Sequence, residues 1–284
     1  MADNTIGWGQ GSVNNTNDWG KGKANSTNDW GSIYANSPSG DTNIEGGSAG
    51  TDFTTNLVAS YNFDTNFADY TGNNDLTASG TTSAGVTGGK VSDCSDFPGG
   101  VNYASSLGSN DFTFTDGVTD LPFSISFWVN FDSILDRSSI IMNRFTSSSN
   151  GGWQIDWNTT NQIRFILGDY LGITNRITAT FPLTPITGNW YHVAVSYDGS
   201  SSITGIQLYL NGLSQTITDE SAGSYTKQPN IVRNIVLGTE SFDIGDSSLD
   251  GKLDEFHIWK NRELSASEVL EIYNIENSGT SILP

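Results

Sequence analysis

The chain has 284 residues, which allows one large domain with an appendage or two ordinary domains. Only 15% of the residues are charged, and Gly, Ser, Thr and Asn are abundant, which favours strands joined by turns over long surface helices. Asp and Glu outnumber Lys and Arg by 31 to 12, giving a formal net charge of -19, so we expect neither nucleic acid nor a membrane surface as a partner.

The N-terminus and the cysteine content limit the class of protein further. The first residues, MADNTIGWGQ, lack the basic and apolar regions of a signal peptide, and no apolar run approaches the ~20 residues needed to cross a bilayer. We therefore expect no standard export signal. The single cysteine, Cys94, cannot form an intramolecular disulfide, and we expect it to be a small core residue.

An eleven-residue unit is repeated at the N-terminus. WGQGSVNNTND at 8–18 is followed by WGKGKANSTND at 19–29 and by a degraded copy, WGSIYANSPSG. The Gly, Asn, Ser and Asp residues between the tryptophans disfavour a helix. In a continuous strand an odd period would send successive Trp side chains to opposite faces, so a common environment for Trp8, Trp19 and Trp30 requires a turn in every repeat.

This repeat segment has too few apolar side chains to form a core of its own. Two hypotheses follow: a disordered low-complexity tail, or a docking strip whose tryptophans are buried against a partner. The fixed spacing favours the second, with Trp8, Trp19 and Trp30 as anchors in a segment 1–45, followed by a linker at 46–56. The units resemble N-terminal segments of bacteriophage virion proteins, in which GWGQG and NDWG recur in tandem before a receptor-type domain.

Strand patterns begin after the linker. LVASYNF alternates apolar residues on one face, FSISFWVNF does so from Phe123 to Phe131, and NWYHVAVSYDG does so from Tyr191 to Tyr197. Asn211-Gly212 separates two further apolar runs and predicts a tight hairpin. Many strands that each bury one face predict a two-sheet sandwich.

One helix is predicted near the C-terminus, in LSASEVLEIYN. Ser265 is the expected N-cap, and Glu268 completes a capping box three residues later. Val269, Leu270 and Tyr273 have the spacing of a buried helical face.

Five motifs carry a family resemblance: LVASYNFDTNFADYTGNNDLTASG, FSISFWVNFD, GNWYHVAVSYDG, IQLYLNG and LDGKLDEFHIWKNRELSASEVLEIYN. In this order they resemble the laminin-G-like family of concanavalin A-like lectin and glucanase jelly rolls. The resemblance implies an all-β, two-sheet antiparallel jelly-roll sandwich at 57–276, with one short C-terminal helix and a tail at 277–284. The extended repeat segment precedes it.

Because this fold includes glucanases, the positions of the carboxylates bear on whether the chain is an enzyme. Retaining glycosidases need two carboxyl groups about 5–5.5 Å apart. The related glucanases carry theirs on a strand with the pattern Glu-x-Asp-x-Glu or Glu-x-Asp-x-x-Glu. Here Gln154 stands two residues before Asp156, and Asp254 and Glu255 are adjacent, so they should point to opposite faces. We therefore expect no enzyme activity. His192 and His257 lack partners at metal-ligand spacing, so neither predicts a zinc site.

Calcium is the one cofactor that the resemblance implies. In laminin-G-like relatives the turn matching DYTGNN and the Asp of the LDE strand often hold a structural Ca²⁺. Carried over to this chain, the ligands are Asp69, Asn73 and Asp254. The alternative is a hydrogen-bonded turn without metal.

Carbohydrate binding would use an aromatic platform, which Trp153, Trp157, Tyr170 and Tyr225 could supply. Of these, Trp157 and Tyr170 are the predicted ligand-binding residues. Trp153 and Trp157 also fit one core face of a strand.

The resulting hypothesis is a noncatalytic phage virion protein, a head or tail fibre or a decoration protein, assembled in the host cytoplasm. The repeats would bind capsid or tail proteins and support a homo-oligomer by multiplying weak contacts, and the sandwich would bind a glycan or the host surface. The alternatives are a secreted or surface-displayed bacterial adhesin, a glycan hydrolase and a purely structural spacer.

Overall fold

The computed structural model describes residues 51–135, 137–143, 151–158, 160–169, 172–240 and 247–283. The chain divides into two units after Gly50, and all described residues belong to the second. The repeat tryptophans Trp8, Trp19 and Trp30 lie outside them. In the described part no helix is long and apolar enough to span a membrane.

Sixteen strands and one α-helix make up the described part. In chain order the strands are β1 (Leu57–Tyr61), β2 (Leu76–Ser79), β3 (Ser83–Thr87), β4 (Asp93–Pro98), β5 (Tyr103–Ser106), β6 (Phe123–Phe131), β7 (Ser138–Asn143) and β8 (Gly152–Asn158). They continue with β9 (Gln162–Asp169), β10 (Gly172–Pro182), β11 (Trp190–Tyr197), β12 (Ile206–Leu210), β13 (Leu213–Ser214), β14 (Thr218–Asp219), β15 (Val236–Leu237) and β16 (Asp250–Lys260), followed by α1 (Ala266–Asn277).

The strands form two antiparallel sheets that pack face to face. The first sheet has the order β13-β12-β11-β6-β16-β4-β3, with β1 also paired to β16. The second has the order β14-β10-β9-β8-β7-β15-β5-β2. This is a two-sheet antiparallel jelly-roll sandwich with one short C-terminal helix, so the predicted fold class is confirmed.

Alternating apolar residues from both sheets form the core between them. The predicted inward residues of β6, from Phe123 to Phe131, belong to this core, as do Val193 and Val195 of β11. Trp153 and Phe165 contribute from the second sheet. The period-2 patterns of β6 and β11 are therefore confirmed. In β1, Ala59 and Tyr61 belong to this core, but a register shift after Leu57 places that residue against a second apolar cluster.

The outer face of β6 is buried as well, which the sequence did not predict. All nine residues of β6 are buried, including Ser126 and Trp128 on the face turned away from the core. A second apolar cluster covers this side of the first sheet, built from Trp259 of β16, Val269 and Ile272 of α1, and Phe53. The helix therefore packs on the outside of the first sheet.

The helix begins as predicted. Ser265 accepts a hydrogen bond from the Glu268 N–H, and the Glu268 side chain accepts one from the Ser265 N–H, so the capping box is confirmed. Its predicted buried face is wrong in part, because the helix buries Val269, Ile272 and Glu276 whereas Leu270 is 38% exposed. Glu276 can be buried because its carboxylate has polar partners on the first sheet, the Trp128 indole N–H and the His257 ring.

The residues that flank the predicted sandwich also contact it. Phe53, in the predicted linker, is buried, and its carbonyl accepts a hydrogen bond from the Trp259 indole N–H at 2.7 Å. In the predicted tail, Ser281 donates to the Glu255 carboxylate at 2.7 Å and Leu283 is buried. Both flanks thus add contacts to the layer that α1 forms.

Two local predictions are also confirmed. Asn211 and Gly212 have positive φ values of 50° and 76°, and Leu210 pairs with Leu213 across this two-residue turn between β12 and β13. Cys94 is fully buried in β4, and burial, the largest cause, raises the pKa of its thiol to about 12. Its packing role therefore agrees with the sequence.

Candidate functional site

The turn that follows β1 is organised around the carboxylate of Asp69. This carboxylate accepts hydrogen bonds from the backbone N–H groups of Ser60, Thr71, Asn73 and Asn74, at 2.8–3.3 Å, and from the Thr71 hydroxyl. The Asn73 side chain is exposed and donates to the Thr71 carbonyl. The turn therefore holds its shape through N–H donors that converge on one carboxylate.

Asp254 is held by a separate set of donors. Its carboxylate accepts the backbone N–H groups of Lys90 at 2.7 Å, Val91 at 2.9 Å and Glu255 at 2.9 Å. It lies where β16 changes its neighbour from β4 to β1 and where the β6 pairing shifts register before His257. No hydrogen bond joins Asp254 to the Asp69 turn among the described residues.

The donor chemistry of these two carboxylates does not fit the calcium shell. Ca²⁺ takes about 6–8 oxygen ligands, whereas N–H groups face the oxygens of both Asp69 and Asp254. Asn73 uses its amide within the turn. The geometry therefore supports the alternative expectation, a hydrogen-bonded turn.

The predicted aromatic platform is placed differently from the expectation. Trp153 and Trp157 are buried in the core, and their indole N–H groups donate to the carbonyls of Phe112 and Leu183 at 3.0 Å. The prediction of Trp157 as a sugar-binding residue is corrected, because its strand turns this face toward the first sheet.

The other two aromatic candidates give no platform in the described part. Tyr225 is partly buried and donates to the Asp120 carboxylate at 2.6 Å. Tyr170 lies outside the described residues.

A polar pocket of about 270 Å³ lies beside the Asp69 turn. Its lining residues come from the segment after β1 and from the C-terminal tail: Ser60, Asn62, Asp64, Asn66, Ala68, Asp69, Tyr70, Ser281 and Leu283. We call it the Tyr70 pocket. Tyr70 is 52% exposed and is the one exposed aromatic side chain in the described part of the chain.

The Tyr70 pocket is lined by amides, carboxylates and one aromatic ring. Asn62 and Asn66 are exposed and carry amides, Asp64 and Asp69 carry carboxylates, and Tyr70 offers a ring face. None of the described lining residues is basic. The pocket thus combines an accessible aromatic ring with donors and acceptors and a negative local charge.

A buried polar cluster lies next to the Tyr70 pocket, reached through Ser60 and Ser281. Ser60 Oγ is 2.8 Å from His257 Nδ1, and Ser281 Oγ donates to Glu255 Oε2. His257 Nε2 lies 3.0 Å from Glu276 Oε1 and 3.4 Å from Glu255 Oε2. We call Glu255, His257 and Glu276 the Glu-His-Glu cluster; all three residues are fully buried.

The electrostatics of this cluster follow from burial and mutual pairing. Burial lowers the pKa of His257, but hydrogen bonds and charges from Glu255 and Glu276 outweigh it and raise the pKa to about 9. Burial raises the pKa of Glu276 to about 7, against the hydrogen bonds from His257 and Trp128. Burial and the charge of His257 lower the pKa of His192 to about 3. Burial and pairing in the cluster therefore shift the pKa values of His257, Glu276 and the neighbouring His192.

A third polar group lies on the outer face of the second sheet. Asp156 of β8 is fully buried and pairs with Arg164 at 2.8 Å and Arg137 at 3.0 Å. Arg137 also pairs with Glu240 at 2.8 Å. Arg137 thus lies between the two carboxylates and pairs with both.

Sequence reasoning missed the main features of these sites. Tyr70 stands in the quoted motif DYTGNND, and an aromatic residue inside an otherwise polar turn was the available signal. Glu276 lies 19 residues after His257, and only the packing of α1 on β16 brings the two together. Their sequence spacing matches no metal motif.

Solved structures with the same fold confirm the architecture. The botulinum neurotoxin serotype D binding domain has a TM-score of 0.58 at 18% identity, over 77% of this chain and 50% of that one. Domain 4 of AbnA, an extracellular arabinanase from Geobacillus stearothermophilus in complex with arabinotriose, has a TM-score of 0.51 at 21% identity, over 76% and 97%. A Trypanosoma rangeli sialidase has a TM-score of 0.57 at 13% identity, over 87% and 37%.

These similarities extend over different shares of the proteins compared. The chain spans about half the length of the neurotoxin binding domains and nearly all of the arabinanase domain. No curated protein sequence matches the chain. The model of the concanavalin A-like lectin/glucanases superfamily, in its laminin-G form, matches residues 100–270. Together with the two-sheet jelly roll, this match establishes that the chain belongs to the concanavalin A-like lectin/glucanase superfamily.

Proposed function

We propose that the sandwich is a noncatalytic carbohydrate-binding domain and that a glycan binds in the Tyr70 pocket. The observation that carries this proposal is the accessible ring of Tyr70 beside the amides of Asn62 and Asn66. An aromatic face with a few convergent polar groups is the usual composition of a site for a small ligand. The arabinanase domain of the same fold, solved with arabinotriose, gives the ligand class a precedent.

The charge of the pocket favours a neutral glycan. Asp64 and Asp69 line it, no basic side chain is among its described residues, and the chain carries a net charge of -19. A sialylated or sulfated glycan would meet like charge without a compensating Arg or Lys. We therefore infer that neutral oligosaccharides bind more tightly than acidic ones.

The absence of catalysis is part of the same proposal. Arg137 forms ion pairs with both Asp156 and Glu240. In the Tyr70 pocket, the Asp69 carboxylate accepts hydrogen bonds from five donors. A glycosidase needs one carboxyl group that donates a proton and a second that attacks or activates water. Neither described set of carboxylates offers that division of roles.

The test is a glycan array probed with the full-length protein, followed by affinity measurement on the strongest neutral hit. Tyr70→Ala should weaken binding about tenfold or more, or about 1.4 kcal/mol, without lowering the melting temperature, because the side chain is half exposed. Leu213→Ala removes an equally exposed apolar side chain outside the pocket and should leave the affinity unchanged.

Three results would count against the proposal. Equal affinity in Tyr70→Ala would move the glycan site elsewhere, and preference for sialylated glycans would contradict the charge argument. Release of reducing sugar from any bound glycan would show that the domain is an enzyme.

We further propose that the repeats attach this domain to a phage virion as a fibre or decoration protein, and that copies of the chain associate there. The support lies in the sequence: three Trp-Gly units with a period of eleven, too few apolar residues for an independent core, and a resemblance to virion proteins. Trp8, Trp19 and Trp30 are the proposed anchors.

Deleting residues 1–45 tests the anchor. The remaining chain keeps the whole described sandwich, so it should stay soluble and folded, but it should no longer join the particle or its own oligomer. Mass spectrometry of purified particles measures incorporation, and light scattering measures the oligomer. Normal copy number after the deletion would contradict the anchor role, and a full-length chain found on the bacterial surface instead of on particles would favour an adhesin.

A further inference from the structure

Three potential metal-ligand atoms converge in the Glu-His-Glu cluster. One ligand atom from each of Glu255, His257 and Glu276 can be chosen so that all three lie within 4.8 Å of one another. In a tetrahedral zinc site with bonds of about 2.0–2.2 Å, two ligand atoms lie about 3.3–3.6 Å apart. The distances from His257 Nε2 to the two carboxylates, 3.0 and 3.4 Å, are close to that range.

The surrounding hydrogen bonds orient each ligand. Ser60 Oγ contacts the other ring nitrogen of His257 at 2.8 Å, which fixes the ring and directs Nε2 toward the carboxylates. The Trp128 indole N–H donates to Glu276 Oε2 at 2.7 Å, and Ser281 donates to Glu255. These partners leave Glu276 Oε1 directed at His257.

One buried oxygen of the cluster has no partner. Glu255 Oε1 is inaccessible to solvent and makes no hydrogen bond, although the whole residue is buried. A buried carboxylate oxygen without a partner has a substantial free-energy cost. A cation bound by both oxygens of Glu255 would give Oε1 a partner, and Glu255 would then supply two of the four ligand atoms of a distorted tetrahedral shell.

The charge of the cluster also fits a divalent ion. Glu255 and Glu276 place two carboxyl groups in a fully buried position. Two carboxylates with a neutral imidazole and a divalent cation leave no net charge. Ser60 and Ser281 line the Tyr70 pocket and contact His257 and Glu255, so one side chain separates the cluster from that pocket.

We propose that Glu255, His257 and Glu276 form a structural zinc site that joins α1 to β16. Zinc is favoured over calcium and magnesium because one ligand is an imidazole nitrogen and only four ligand atoms are at hand. Glu276 belongs to the helix and the other two residues to the strand, so the metal would link the outer layer to the first sheet. This site is independent of the proposed glycan binding.

The experiment begins with full-length protein that has been treated with a chelator and dialysed. Titration with ZnCl₂ by calorimetry should show about one Zn²⁺ per chain, and the melting temperature should be higher with Zn²⁺ than with chelator. A folded wild-type protein that binds no zinc would overturn the proposal. A higher melting temperature with calcium but not with zinc would also overturn it and would favour an oxygen-ligand site at Asp69.

Variants then test the ligands. Glu255→Gln and Glu276→Gln should each lower zinc affinity at least 100-fold, whereas Glu271→Gln, which removes a carboxylate from the same helix outside the cluster, should leave it unchanged. Equal affinity in all three variants would place the bound zinc elsewhere and overturn the assignment.

Cobalt gives a readout that does not depend on the variants folding. Co²⁺ bound to the wild-type chain should show the visible absorption of a tetrahedral site. An octahedral spectrum would contradict the proposed ligand set.

Discussion

Replacing Trp259 with alanine is expected to lower the free energy of unfolding by about 3–5 kcal/mol. The side chain is fully buried on the outer face of the first sheet, where it packs with Phe53, Val269 and Ile272. Its removal would leave a cavity beneath α1 and would deprive the Phe53 carbonyl of its hydrogen bond from the indole N–H. Urea denaturation of the full-length protein measures the change.

Trp190→Ala is the matched control for this substitution. Trp190 belongs to the same sheet but is partly exposed, and its indole N–H donates to the Gly88 carbonyl at 3.2 Å in an exposed position. We expect it to cost less than about 1.5 kcal/mol. If Trp259→Ala also lowers the free energy of unfolding by less than about 1.5 kcal/mol, the α1 layer does not unfold together with the sandwich.

Asp156→Ala is expected to destabilise the protein by about 2–4 kcal/mol, less than the loss of a fully buried ion pair, because its partners are partly exposed. Asp156 is fully buried, while the side chains of Arg137 and Arg164 are 28% and 22% exposed. Removing the carboxylate leaves both guanidinium groups and the Gln154 amide without this acceptor. Chemical denaturation measures the loss.

A double substitution separates charge pairing from packing. If the ion pair is responsible, Asp156→Ala combined with Arg164→Leu should cost less than the sum of the two single changes. Strict additivity would attribute the loss to packing alone. Glycan binding at the Tyr70 pocket should be unchanged in the folded single variant, because Asp156 lies on the second sheet and does not line that pocket.

The predicted fold was correct because its main signals are local. The alternation from Phe123 to Phe131, the Asn211-Gly212 turn and the Ser265–Glu268 capping box each depend on residues close in sequence. The same local signals do not predict that the outer face of β6 is buried. Periodicity identifies a face that can be buried between two sheets, but it does not show that a helix covers the other face.

The candidate sites were predicted less well. Trp157 belongs to the core, the alternative that its strand pattern also allowed. An aromatic residue on a strand can serve a core or a binding surface, and only the packing of two sheets decides between them. The calcium ligands were carried over from a resemblance, whereas the N–H groups that face Asp69 and Asp254 come from backbone turns that only the folded chain defines.

Composition, periodicity and turn residues act over short distances, so they predict the all-β class, the two-sheet sandwich, the capped helix and the buried Cys94. The strong negative charge follows from composition alone. Only the folded chain shows that Phe53 and α1 pack on the first sheet, that Tyr70 borders an open polar pocket, and that Glu276 contacts the His257 ring. Phe53 and Trp259 are 206 positions apart in the sequence, and their distance in space depends on how the sheets and the helix pack.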